Sequence, residues 1–110
     1  MSNAAFCKPE LRRYQRISLP NGMLAAWHGG GDQQVSRVKT LSLGGVFLSA
    51  TLVRVVGTPL KVVFTVPEGI VQAEGIVRNT APGEGMGVEF TRMDFGDRDL
   101  LERLMTRLLR

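Results

Sequence analysis

From residue 20 to residue 93, apolar and polar residues alternate in short runs, each cut off by glycine, proline or a polar turn. An alternation of period two puts one set of side chains on one face of a strand and the other set on the opposite face. Leu60, Val62, Phe64 and Val66 share one parity, and Pro67-Glu68-Gly69 closes that run with turn chemistry. Val71, Ala73, Gly75 and Val77 alternate against Gln72, Glu74 and Arg78. Met86, Val88 and Phe90 form a last run after a Pro/Gly turn spanning Asn79 to Gly85. Upstream, Gly22 to His28, Val35 to Leu43 and Gly45 to Ala50 read as three further runs. The first ends in the flexible turn Gly29-Gly30-Gly31-Asp32, and Lys39 interrupts the alternation of the second. About six short strands with no long helix between them pair antiparallel. A flat sheet of that size would leave an apolar face and two edges open, and closure into a barrel removes both.

The period changes after residue 93. Leu100, Leu101, Leu104, Met105, Leu108 and Leu109 recur at helical spacing with charged residues between them. This predicts an amphipathic helix over residues 97–109, about three turns long. Asp94 and Asp97 stand at its start and Arg107 and Arg110 at its end, the signs that a helix dipole favours. The apolar stripe either plugs the barrel or stays outside as a docking or dimer face. The expected fold is therefore all-β with a C-terminal helix, a six-stranded antiparallel β-barrel over residues 20–110. Residues 1–19 are polar and basic without clean periodicity, and we expect a flexible arm there.

Other features narrow the function. A chain of 110 residues can bury one core but not two. The single cysteine, Cys7, cannot form an internal disulfide or build a metal site alone, which suits a reducing cytoplasm. No apolar run approaches the roughly 18–20 residues of a membrane span. His28, the only histidine, has no catalytic partner near it in sequence and reads as an ordinary strand-end residue. No paired acid and base, metal cluster or activated nucleophile is visible, so an enzyme is not expected. Gly29 to Gly31 lacks the Lys-Ser/Thr that follows in a P-loop. The net charge of +4 suits an anionic partner, but the interleaved aromatics that β-barrels use to stack nucleic acid are missing. Trp27 reads as core or barrel rim.

Two short constellations carry recognition chemistry. The first is Arg12-Arg13-Tyr14-Gln15-Arg16. The planar guanidinium fork donates two hydrogen bonds at once to phosphate, or to guanine O6 and N7. Arg12 and Arg16, four apart, point to one side in a turn or short helix. The same residues also fit a solvated basic terminus. The second is Thr40-Leu41-Ser42-Leu43-Gly44-Gly45. On a strand, Thr40 and Ser42 share the polar face and Leu41 and Leu43 take the other. Gly44-Gly45 either lets the backbone approach a ligand closely or marks a β-bulge between two strands.

Taken together, an RxxxR arm followed some two dozen residues later by a strand with an xxSxxG turn resembles the PilZ domain family, whose pattern is RxxxR and then (D/N)xSxxG. Arg12 and Arg16 match the first motif, and Ser42 and Gly45 the second. Val46-Phe47-Leu48 after the glycines, and Gly85-Met86-Gly87-Val88-Glu89-Phe90 ahead of the helix, also look like family text. The resemblance runs from about Arg12 to the end of the chain. It implies a six-stranded barrel of the split-barrel type with a C-terminal helix. It also implies that the ligand is cyclic di-GMP, often bound as a stacked dimer. Arg12 and Arg16 would clasp phosphate and guanine, and Ser42 and Gly45 would hold another guanine face. Arg13, Thr40 and Gly44 stand beside them, and Arg78, outward on its strand, is an additional candidate contact.

Thr40 departs from the pattern, because the family has Asp or Asn there. A hydrogen bond to a charged group contributes about 1.5–3 kcal/mol against about 0.5–1.5 for a neutral one. The expected deficit is about 1–2 kcal/mol, or about tenfold in affinity. The expected role is thus a cyclic di-GMP receptor that passes its occupancy to an unidentified protein partner. The alternative is a PilZ-like interaction module with weakened or lost ligand binding, which could dimerise through its helix.

Overall fold

The computed structural model describes residues 16–109. Six strands run in chain order: β1 (Ile17–His28), β2 (Gln34–Ser42), β3 (Gly45–Ser49), β4 (Pro59–Val66), β5 (Gly69–Ala81) and β6 (Gly85–Arg92). A helix, α1 (Phe95–Leu108), follows. The strands close into a barrel in the order β1-β2-β3-β6-β5-β4 with every pairing antiparallel. The pairing of Ala26, Trp27 and His28 with Val63, Val62 and Lys61 closes the ring.

The alternation predicted from the sequence is the inside–outside pattern of this barrel. Leu60, Val62 and Phe64 of β4, Val71 and Val77 of β5, Val46 and Leu48 of β3, and Met86 and Val88 of β6 all lie in one buried cluster. Trp27 belongs to the same core, and its indole Nε1–H donates to Ser36 Oγ at 2.9 Å. The Arg54 guanidinium lies 4.9 Å from the Trp27 ring centroid, and its Nε–H donates to the Gly29 carbonyl at 2.9 Å. A cation over an indole face, anchored at its other end, ties the connection between β3 and β4 to the end of β1.

Four boundaries differ from the sequence reading, each for a physical reason. β1 begins at Ile17, inside the stretch expected as an arm. Pro20 lacks a backbone N–H, and the ladder with β2 shifts register between Ser18 and Met23 instead of ending there. β5 continues through Asn79, Thr80 and Ala81, which read as turn residues, so the reversal before β6 is shorter than expected. Gly44-Gly45 is not a bulge. Leu43 and Gly44 form the tight connection between β2 and β3, and Gly45 pairs with Ser42. α1 starts two residues before residue 97, and Asp94 is its N-cap residue but makes no side-chain capping bond. Asp97 instead accepts the Gln72 N–H at 3.1 Å and ties the first turn to β5.

The interruption at Lys39 is a real bulge. Val38 pairs with Leu48 and Thr40 with Phe47, so Lys39 is the extra residue, and Val38 and Leu41 both face the core across it. The apolar stripe of α1 is turned inward. Leu101, Leu104 and Met105 are buried in the barrel core, so the stripe is a plug and not an outer docking or dimer face. Arg107 near the helix end is forked onto Glu68 in the connection between β4 and β5, with Nη2 to Oε1 at 3.2 Å. That hydrogen bond holds the Glu68 carboxyl below its ordinary pKa and raises that of Arg107. Among the described residues no helix is long and apolar enough to cross a membrane.

Candidate functional site

The outer surface of β2, β3, β6 and β5 carries an open groove of about 430 Å³. That volume lies in the ordinary range for small-molecule sites, about 300–1,000 Å³. Arg16, Thr40, Ser42, Gly44, Gly45 and Arg78 all line it. Six positions chosen from sequence on separate segments therefore share one surface. Arg12 and Arg13 lie outside the described residues.

Strand register explains the convergence. Ser42 pairs with Gly45, and Gly45 with Glu89, forming one row across β2, β3 and β6. Two residues along, Thr40, Phe47, Gly87 and Asn79 form the next row across four strands. Ile17 and Ser18 of β1 face Leu41 and Thr40, and Arg16, immediately ahead of Ile17, reaches the groove rim. Gly45 and Gly87 leave the floor without side chains. A Cβ at Gly87 would come within 2.6 Å of Asn79 Oδ1, and one at Gly45 within 2.4 Å of the Val88 carbonyl oxygen.

Two of the expected residues play parts in the barrel itself. Ser42 does not offer a free hydroxyl. It is buried, and its Oγ accepts the N–H of Gly44 at 3.1 Å and of Gly45 at 3.2 Å. The serine thus shapes the turn and orients the two glycine amides, a common use of a hydroxyl at a strand end. Gly45 does not take positive φ. Its missing side chain lets β3 pass close to β6, so close packing of the barrel, independent of any ligand, already requires glycine there.

Arg78 is the extra residue of a second bulge. Val77 pairs with Val88 and Asn79 with Gly87, and Arg78 falls between them. Its Nε–H donates to Glu89 Oε1. Bulges at Lys39 and Arg78 flank the groove, and bulges re-aim side chains where they occur. Lys39 is directed elsewhere. Its ammonium is 3.6 Å from Glu84 and 5.9 Å from the Phe47 ring centroid. Sequence reasoning missed Phe47, Asn79 and Glu89 as groove residues. For Glu89 a signal existed: Met86 and Val88 point inward, so Gly87 and Glu89 face out. Asn79 was hidden by cutting β5 short. Among the described residues no group of three or more His, Cys, Asp or Glu side chains is arranged to hold a metal.

Two rims of positive charge, one carboxylate and a glycine floor suit a flat anionic ligand with polar edges. No curated protein matches the chain. Among solved structures, the PilZ domain of YcgR from Escherichia coli with c-di-GMP is similar at a TM-score of 0.73 and 18% identity, covering 90% of this chain and 92% of that one. The inhibitor of motility MotI/DgrA of Bacillus subtilis is similar at a TM-score of 0.72 and 22% identity, covering 89% of this chain. This chain matches 51% of the length of that protein, about half. The PilZ domain of CeSA from a cellulose-synthesizing bacterium is similar at a TM-score of 0.67 and 16% identity, covering 87% and 99%. The family model described as the PilZ domain matches residues 10–107, nearly the whole sequence, and the chain belongs to the PilZ domain family.

Proposed function

We propose that this chain is a cyclic di-GMP receptor acting in the cytoplasm as an adaptor, with no catalytic step of its own. The observation that carries the reading is the convergence of Arg16, Thr40, Ser42, Gly44, Gly45 and Arg78 on one groove. Arg16 and Arg78 supply guanidinium forks for phosphate or for guanine O6 and N7. The Thr40 hydroxyl supplies a polar contact of the floor, and Gly44 and Gly45, their amides held by Ser42, leave that floor open to a close approach. Arg12 and Arg13, ahead of Arg16 in sequence, complete the cationic set. Ligand held by those arginines fixes the segment before β1 against the barrel, and the surface so changed is what a protein partner reads.

Thr40 favours a second reading, in which the domain works through protein contacts with binding weakened or lost. The inward stripe of α1 removes the surface proposed for that role. The deciding experiment is calorimetric titration of the wild type, Arg12→Ala and Arg16→Ala with cyclic di-GMP. The receptor reading expects saturable binding that either substitution weakens by about tenfold or more. Absence of heat for the wild type at high micromolar ligand overturns it and leaves the second reading. Sedimentation with and without ligand then reports whether occupancy changes assembly.

A further inference from the structure

Among the described residues lining the groove, Glu89 is the only acidic one. A site for a doubly charged anion gains nothing from a carboxylate unless the ligand brings hydrogen-bond donors to it. On cyclic di-GMP, the phosphate oxygens and guanine O6 and N7 only accept. The donors are guanine N1–H and N2–H and the free ribose hydroxyls. Of these, the guanine N1–H and N2–H pair matches the two oxygens of one carboxylate.

The fold places Glu89 suitably for that role. Its neighbour Val88 is buried in the core, so Glu89 faces outward by strand parity. It stands in the same cross-strand row as Ser42 and Gly45. Two strand spacings separate β2 from β6, about 10 Å, so Glu89 serves the end of the groove away from Thr40. Arg78 takes one acceptor position through its Nε–H. An ionised carboxylate has about four such positions, so the pair leaves room for a base edge and fixes the direction in which the carboxylate points.

Resting on the receptor reading, we propose that Glu89 is a specificity-determining residue. It accepts from N1–H and N2–H of a guanine, so that β6 supplies the carboxylate that Thr40 does not supply on β2. Adenine offers a donor at N6 and an acceptor at N1, and a carboxylate cannot match both. The site therefore prefers guanine through Glu89, and a cyclic dinucleotide with adenine in that position is rejected.

Titrations of the wild type, E89Q and E89D with cyclic di-GMP and cyclic di-AMP test this. Glutamine is near in shape and offers one acceptor and one donor, the complement of the adenine edge. E89Q should lose about tenfold or more in affinity for cyclic di-GMP and hold or gain affinity for cyclic di-AMP. E89D keeps the carboxylate and should stay closer to wild type in its guanine preference than E89Q does. Melting curves matching wild type establish that both variants fold, and if E89Q melts early the E89D comparison with wild type decides. Tighter cyclic di-GMP binding by E89Q would make Glu89 a mere rival for Arg78 and overturn the proposal. An unchanged guanine-to-adenine ratio, or a lower ratio in E89D than in E89Q, overturns it as well. Wild type that binds but shows one of those outcomes sinks this proposal alone, whereas wild type that binds no cyclic di-GMP sinks the receptor reading with it.

Discussion

Adding one methyl group at Gly45 and the same methyl at Gly96 should move stability in opposite directions. A Cβ at Gly45 would sit 2.4 Å from the Val88 carbonyl oxygen, well inside van der Waals contact. The obstructing atom is backbone, and β6 is held there by the Gly45–Glu89 and Val46–Val88 pairings, so it cannot swing aside as a side chain would. Forcing extra volume into a packed site costs about 1–3 kcal/mol, and rigid backbone puts this case at about 2–3. For a domain of about 100 residues, each kcal/mol moves Tm by about 4–8 °C, so Gly45→Ala should melt about 8–24 °C early. Gly96 lies in the first turn of α1, exposed, with nothing within 4 Å of an added Cβ. Alanine there gains up to about 1 kcal/mol of helix propensity, so Gly96→Ala should melt a few degrees late. Thermal unfolding followed by circular dichroism, with urea midpoints at unchanged slope as a check, measures both. A Gly45→Ala melting point within about 2 °C of wild type would refute the close-approach argument. The result also governs how ligand data are read. Weak binding by a Gly45 variant would report a damaged barrel before it reported a lost ligand contact.

Thr40→Asp should tighten cyclic di-GMP binding by about tenfold in calorimetry, since a charged acceptor replaces a neutral hydroxyl in the groove. Leu104→Ala removes a fully buried plug residue and should cost about 2–5 kcal/mol in urea unfolding; a loss under about 1 kcal/mol would mean that α1 is not part of the core. Glu68, with its pKa lowered by the Arg107 hydrogen bond, contributes stability that is complete above its ordinary value of 4.5 and is lost as pH falls through the lower, folded value. The gap in Tm between wild type and Glu68→Gln should therefore be widest near neutral pH and close in acid, and a gap that widens on acidification would contradict the assignment.

The barrel was legible because its inward residues are apolar at nearly every second position, and Val62, Val71 and Val88 state their parity plainly. The boundaries were less legible where local chemistry and tertiary pairing disagree. Asn79-Thr80-Ala81 carries turn residues, yet pairing with β6 holds that stretch in the sheet, and β1 runs on through Pro20-Asn21-Gly22, which also reads as a turn. The start of α1 was hidden because Phe95 is exposed and Gly96 disfavours helix, so neither advertises the first turn. Within the groove, residues in short motifs could be found by spacing. Parity gave Glu89 only its outward face and Asn79 read as turn, and only register across β3, β6 and β5 brings them beside Ser42 and Thr40. The hydroxyl of Ser42 misled for a related reason: sequence gives its chemistry, but the turn it closes uses that chemistry first.

The opening of β1 has a consequence for signalling. Ile17 and Ser18 face Leu41 and Thr40, and the ladder then loses register before it resumes at Met23. Those first rungs are thereby decoupled from the long ladder behind them, and Arg16 is joined to them directly. Any ligand that grips Arg16 also stiffens the rungs, and by reciprocity anything that peels the rungs away loosens the grip. Slowed amide exchange at Ile17 and Thr40 would then be an occupancy gauge built into the backbone, readable without knowing what the domain talks to.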